Sequence, residues 1–62
     1  MFSVKIRPQV FSIREMDFLN SKGFSPDKIY KVVAVVESKL LLVDEDSGEM
    51  VELFPRNCIY VR

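Results

Sequence analysis

Hydrophobic and polar residues alternate along much of the chain, and the period changes once near the N-terminus. Phe2, Val4 and Ile6 alternate with polar residues, a pattern typical of a half-buried strand. Pro8 lacks the backbone donor that a strand ladder needs, so we expect this strand to end there or to lie at an edge. The pattern therefore predicts a first strand that stops at or near Pro8.

The next segment has the spacing of a short helix. Ser12 and Glu15 stand three residues apart, as in a capping box in which each side chain satisfies a backbone amide of the other residue. The apolar residues of one helical face, which we expect to point into the core, are Ile13, Met16 and Leu19. The sequence therefore predicts a helix of about two turns at residues 13–20.

The rest of the chain, residues 28–61, contains four short apolar runs joined by tight polar turns. The run around Val32 is apolar on both faces, so we expect it to be the most buried strand. Phe24 lies in the loop before these runs, and we expect its side chain to be buried at one side of the core. A 3₁₀ turn should precede the last run, whose inward residues should be Ile59 and Val61. Five short strands that bury one apolar set most simply close into a small barrel, because open sheet edges are a liability.

Several residues of the second half stand in an order that is known from a protein family. They are Asp27–Val32, Leu41–Asp44, Gly48 with Glu49, Phe54 with Pro55, and Ile59. This order resembles SH3-like barrels, and most closely the very small SH3-like barrel proteins of bacteria, above all Firmicutes, and of their phages. The resemblance covers about residues 27–62 and implies an SH3-like barrel. Combined with the predicted strands and helix, it gives a mostly β fold: a five-stranded SH3-like small barrel with a short helix inserted after the first strand. The chain length predicts a single domain of residues 1–62. The resemblance also implies a phage-encoded or prophage-encoded factor that modulates a host protein.

Size and residue types argue against an enzyme. A chain of 62 residues has little room for a cleft walled by two layers. Cys58 is the one cysteine and histidine is absent, so a disulfide, a thiol–histidine pair and a zinc site are excluded within the chain. Only two glycines occur, and no phosphate-binding glycine loop is present. We expect no catalytic residues, no cofactor and no metal site.

Apolar runs and cysteine use indicate where the protein works. The longest uninterrupted apolar run, Val32–Val36, is far too short to span a membrane. The N-terminus lacks an apolar segment of signal-peptide length, and a small secreted domain without disulfides would be unusual. We therefore expect a cytoplasmic protein, in the host cytoplasm if a phage encodes it.

The acidic turn, defined here as residues 44–49, is the sharpest local feature. Its carboxylates could hold a cation, but the spacing lacks the distal ligands that hard cations need. We therefore interpret it as a hairpin turn with solvated carboxylates, in which Gly48 adopts a positive φ.

Three functions stay open on the sequence. The favoured one is a non-enzymatic protein-binding module, with an exposed apolar patch of Met16, Phe18 and Tyr60 as the candidate partner site. The second is nucleic-acid binding, because residues 1–31 carry six basic and three acidic groups although the net charge is zero. The residues of that alternative site are Lys5, Arg7, Lys28, Lys31 and Tyr30. The third is a small structural or assembly protein.

Overall fold

Five antiparallel strands form one sheet in the computed structural model, which describes residues 2–61. The strands are β1 (Ser3–Ile6), β2 (Ile29–Val36), β3 (Lys39–Val43), β4 (Met50–Leu53) and β5 (Cys58–Val61). Their order across the sheet is β4-β3-β2-β1-β5, and within residues 2–61 no pairing joins β4 to β5. The expectation of a mostly β fold with one short helix is confirmed. The sheet is open, however, whereas the sequence predicted closure.

The only α-helix of the described chain, α1 (Ile13–Ser21), lies where the sequence predicted it. Ser12 Oγ accepts from the Glu15 amide at 3.1 Å, and Glu15 Oε1 accepts from the Ser12 amide at 2.8 Å, which confirms the capping box. Leu19 is buried and Met16 packs against the core, but Ile13 is 84% exposed. The prediction that Ile13 points inward is wrong, because the residues of α1 that pack with the core, Met16 and Leu19, lie nearer its C-terminal end.

Short 3₁₀ helices and a tight hairpin connect the strands. Residues Pro8–Val10 and Pro55–Asn57 are 3₁₀ helices, the second as predicted. In the β2–β3 hairpin Val36 pairs with Lys39, so the loop has two residues. Those residues, Glu37 and Ser38, have φ values of 50° and 66°. Two consecutive positive φ values are the signature of the type I′ turn, whose twist matches that of the flanking strands.

The core lies on one face of the sheet, under the end of α1. Phe24 is fully buried, as the sequence predicted, and its ring lies 4.8 Å from that of Tyr30. The Tyr30 hydroxyl accepts from the Ser25 amide at 2.7 Å, so the polar end of this buried side chain is satisfied. The buried apolar residues are Val4, Ile6, Leu19, Phe24, Tyr30, Val32, Leu40, Leu42, Leu53 and Cys58.

Strand β2 is exposed along much of its length, which corrects the expectation that it is the most buried strand. Ile29, Val33 and Val35 are all more than one third exposed. The register shifts between Val32 and Ala34, so Val35 pairs with the buried Leu40, yet Val35 is 60% exposed. The apolar residues on both faces of β2 therefore did not predict that the strand is buried.

Strand β5 has the opposite register from the one predicted. Ile6 pairs with Cys58 and Lys5 pairs with Ile59, so Cys58 shares the inner face with Ile6. Cys58 is accordingly buried and Ile59 exposed. Because side chains alternate with a period of two, a change of one residue in register moves every side chain to the other face.

Candidate functional site

A cavity of about 320 Å³ lies between α1 and β4. We call it the α1–β4 cavity. Its apolar lining consists of Phe11, Phe18, Leu19, Val51 and Leu53. Three charged residues, Arg14, Glu15 and Glu52, complete the lining. The cavity is therefore an apolar depression with charged groups around it.

Phe18 is the most accessible aromatic side chain of this cavity. Leu19 points into the core, and the helical rotation of 100° per residue turns the neighbouring Phe18 towards the margin of the helix. Phe18 is consequently 55% exposed, and the ammonium of Lys22 lies 5.6 Å from its ring centroid. The structure thus places one member of the predicted apolar patch at a surface where a partner could cover it.

The other two members of that predicted patch lie elsewhere. Met16 is partly buried against the core. Tyr60 is exposed on β5, where its ring meets that of Phe2 edge to face at 5.4 Å. Phe2 and Tyr60 line a second cavity that does not include Phe18. The residues that join Phe18 instead, Phe11 and Val51, were not predicted, because only tertiary packing brings β4 beside α1.

Glu15 is held in place by the start of α1. Hydrogen bonds from the backbone amide and side chain of Ser12 lower the pKa of the Glu15 carboxyl below its ordinary value. This carboxylate is therefore engaged in the helix cap. Arg14 and Glu52, by contrast, form no ion pair within residues 2–61.

Most of the predicted nucleic-acid face is engaged within the fold. Lys28 Nζ lies 3.5 Å from Asp44 Oδ2, and Lys31 Nζ lies 3.4 Å from Glu45 Oε2. Tyr30 is 2% exposed, so its ring offers no surface on which a base could stack. Lys5 is partly exposed on β1, and Arg7, just after β1, is exposed. The acidic turn thus partly neutralises the basic first half of the chain.

The acidic turn is a hairpin turn, as predicted, but the prediction that its carboxylates are solvated is wrong for Asp44, which is buried in contact with Lys28. The Gly48 amide donates to the Asp44 carbonyl at 2.8 Å, and Gly48 has a φ of 79°. The buried carboxylate of Asp44 accepts from the Asp46 amide at 3.1 Å. This backbone hydrogen bond, together with the charge of Lys28, lowers the pKa of Asp44 despite its burial. Within residues 2–61, no three or more Cys, Asp or Glu side chains are grouped to hold a metal ion.

A basic–aromatic cluster, defined as Lys39, Phe54 and Arg56, was not predicted. The Phe54 ring is partly exposed, with Lys39 Nζ at 5.1 Å and Arg56 Cζ at 5.0 Å from its centroid. Cations at these distances are attracted by the π face of the ring. Neither cation forms an ion pair in the part of the chain that the structure describes. Their charges are therefore available to an anionic partner.

Cys58 is unsuited to nucleophilic chemistry in this environment. It is 9% exposed, and burial raises the pKa of its thiol to about 11. The thiolate, which is the reactive form, is therefore scarce at neutral pH.

Comparisons with known proteins identify no relative. No family model, no curated protein and no solved structure matches the chain. No helix in residues 2–61 has the length and apolar character needed to cross a membrane.

Proposed function

We propose that the protein is a non-enzymatic, protein-binding module whose partner covers the α1–β4 cavity. The observation that supports this proposal is the half-exposed Phe18 beside an apolar depression with charged groups around it. Aromatic side chains at the centre of such surfaces commonly carry a large share of binding energy, because the partner removes them from water. Burial of the thiol of Cys58 supports the non-enzymatic part of the proposal.

We further propose that the strands form an SH3-like arrangement. Its support is the set of five short antiparallel strands, with the 3₁₀ helix at Pro55–Asn57 between the last two. The proposal of a phage-encoded or prophage-encoded factor that modulates a host protein in the cytoplasm has one support. That support is the sequence resemblance at Leu41–Asp44 and Phe54 with Pro55.

Nucleic-acid binding has less support from the geometry than protein binding. Lys28 and Lys31 have acidic partners and Tyr30 is buried. A structural or assembly protein is the third hypothesis, for which light scattering should show a defined oligomer. Capture with and without nuclease separates nucleic-acid binding from the favoured function, and light scattering tests the assembly hypothesis.

Affinity capture from a bacterial lysate, followed by mass spectrometry, tests the proposed function. Wild-type protein, Phe18→Ser and Tyr60→Ser are compared, each with and without nuclease. Tyr60→Ser is the matched control, because Tyr60 is also an exposed aromatic residue but lines a different cavity. Circular dichroism checks that both variants remain folded.

We expect one specific protein to be captured by the wild type and by Tyr60→Ser, with or without nuclease, and to be lost with Phe18→Ser. Equal capture by the Phe18 variant would show that this cavity is not the binding site. Capture that disappears with nuclease would favour the nucleic-acid hypothesis instead.

A further inference from the structure

We propose that the partner docks as an extended segment that adds a strand to the free edge of β4. One apolar side chain of the segment enters the α1–β4 cavity, and one acidic side chain meets the basic–aromatic cluster. This inference rests on the proposed function and specifies how the partner is recognised. Three independent features of the described chain support it: the backbone groups of the edge, the position of the cavity and the unpaired cations.

The register of the β3–β4 hairpin determines which backbone groups face the free edge. In antiparallel pairs, opposed residues alternate between hydrogen-bonded and non-hydrogen-bonded positions. The Asp44 amide donates to the Glu49 carbonyl at 2.9 Å, so this opposed pair is hydrogen-bonded. Met50 and Glu52, which oppose Val43 and Leu41, then occupy non-hydrogen-bonded positions. Their N–H and C=O groups point away from β3, towards the edge to which a new strand could pair.

The α1–β4 cavity reaches this same edge. Val51, Glu52 and Leu53 all line it, although successive side chains of a strand point to opposite faces. We infer that a cavity lined by three consecutive residues extends along the edge of the strand. Val51 and Leu53 belong to the inner face, because they pair with the buried Leu42 and Leu40. An inward-pointing side chain of the added strand would enter the cavity beside them.

The basic–aromatic cluster lies at the C-terminal end of β4, on the outer face. Leu40 pairs with Leu53, so Lys39 and Phe54 are the next opposed residues along the same ladder. Lys39 and Arg56 lie within about 10 Å of each other, since both are within 5.1 Å of one ring centroid. A carboxylate placed opposite Phe54 could reach both cations. Opposite Glu52, two residues earlier, it would meet a like charge.

These positions define the chemistry of the occupant. It is an extended segment with apolar side chains on its inner face and an acidic side chain on its outer face, opposite Phe54. A second copy of this chain fits less well. The antiparallel register that sets Glu52 of one copy opposite Phe54 of the other pairs only residues 52–54, because Pro55 begins a 3₁₀ helix. We therefore infer a segment of a different protein.

Selection from a yeast-displayed library of random nine-residue peptides tests this docking mode. We expect enriched peptides to alternate apolar and polar residues and to share one acidic position. The affinity of one enriched peptide is then measured for the wild type, Glu52→Pro, Glu52→Thr and Lys39→Glu/Arg56→Glu. Glu52→Pro removes an edge N–H without removing a β3–β4 hydrogen bond, and Glu52→Thr removes the same charge but keeps the N–H. Lys5→Glu is the control for charge reversal on β1.

We expect Glu52→Pro and the double charge reversal each to weaken binding about tenfold or more, and Glu52→Thr and Lys5→Glu to change it less than about twofold. On peptide binding, the Met50 and Glu52 amides should exchange hydrogen more slowly than in the free protein. Enriched peptides without an acidic position, or equal binding by Glu52→Pro and Glu52→Thr, would overturn this docking mode. So would a dimer of the free protein that Glu52→Pro dissociates.

The same variants separate this inference from the proposed function. If the partner captured from lysate depends on Phe18 but binds Glu52→Pro and the charge-reversed variant normally, the protein-binding function stands and strand addition is wrong. If the lysate yields no Phe18-dependent partner, the proposed function itself fails.

Discussion

Lys28 Nζ lies 3.5 Å from Oδ2 of the buried Asp44, which ties the start of β2 to the start of the acidic turn. The same carboxylate accepts the Asp46 amide, so it supports the turn as well as the ion pair. Sixteen residues separate the two partners along the chain. This contact therefore links the basic first half of the chain to its acidic second half.

The Asp44 interaction predicts a loss of stability in acid. The folded-state pKa of Asp44 lies below the ordinary aspartate value of 3.8, because the Asp46 amide and Lys28 favour the carboxylate. The stabilisation is therefore fully present above pH 3.8 and is lost as the pH falls through the lower, folded-state value. Urea unfolding across this range should show a steeper decline for the wild type than for Asp44→Asn. An unchanged slope in Asp44→Asn would contradict the prediction.

Replacement of Ser12 should destabilise the protein through the start of α1. Ser12→Ala removes the oxygen that accepts the Glu15 amide, and we expect a loss of about 1 kcal/mol in the free energy of unfolding. Urea denaturation at neutral pH measures the loss. Ser12→Asn, which retains an acceptor favoured at this position, should remain close to the wild type. Equal losses in the two variants would show that the cap is not the cause.

Glycine in place of Ser38 should stabilise the β2–β3 turn. Ser38 adopts a φ of 66°, which a side chain disfavours and glycine adopts readily. We expect Ser38→Gly to raise the free energy of unfolding by about 1 kcal/mol. Ser38→Ala is the matched control, since it removes the hydroxyl and keeps the Cβ. If Ser38→Ala stabilises the protein as much as Ser38→Gly, backbone strain is not the reason.

Cys58 should react slowly in the folded protein. Burial limits access to the thiol and raises its pKa to about 11, so little thiolate forms at pH 8. Iodoacetamide labelling, followed by mass spectrometry, should be much faster in 8 M urea than in buffer. A free cysteine peptide provides the reference rate for each condition. Comparable rates for folded and unfolded protein would contradict the buried position of Cys58.

Local features were predicted well from the sequence. The capping box of Ser12 and Glu15 placed the start of α1 correctly, because its hydrogen bonds join residues only three apart. The acidic turn and the 3₁₀ helix at Pro55–Asn57 were recognised for the same reason. The exposure of Phe18 was also expected, since the sequence placed it in an exposed apolar patch. The identity of its neighbours was not.

Registers and burial could not be read from the sequence in the same way. The register of β5 depends on its pairing with β1, more than fifty residues earlier, and the apolar pattern of β5 alone led to the wrong choice of its inner face. Ile13 matched the apolar face of α1, but whether the core extends beneath the first turn depends on how the helix lies on the sheet. The ion pairs of Lys28 and Lys31 likewise require β2 and the acidic turn to come together in three dimensions.

The stretch of the chain from Lys28 to Pro55 shows where the division lies. The sequence by itself determined its strands, its turns and its mostly β class, because these follow from alternation, glycine, proline and short-range hydrogen bonds. Tertiary structure alone decided that β2 stays largely exposed, that the edge of β4 is free, and that Lys39, Phe54 and Arg56 meet there. These are properties of long-range packing, in which the energy of each residue depends on which distant segment lies beside it.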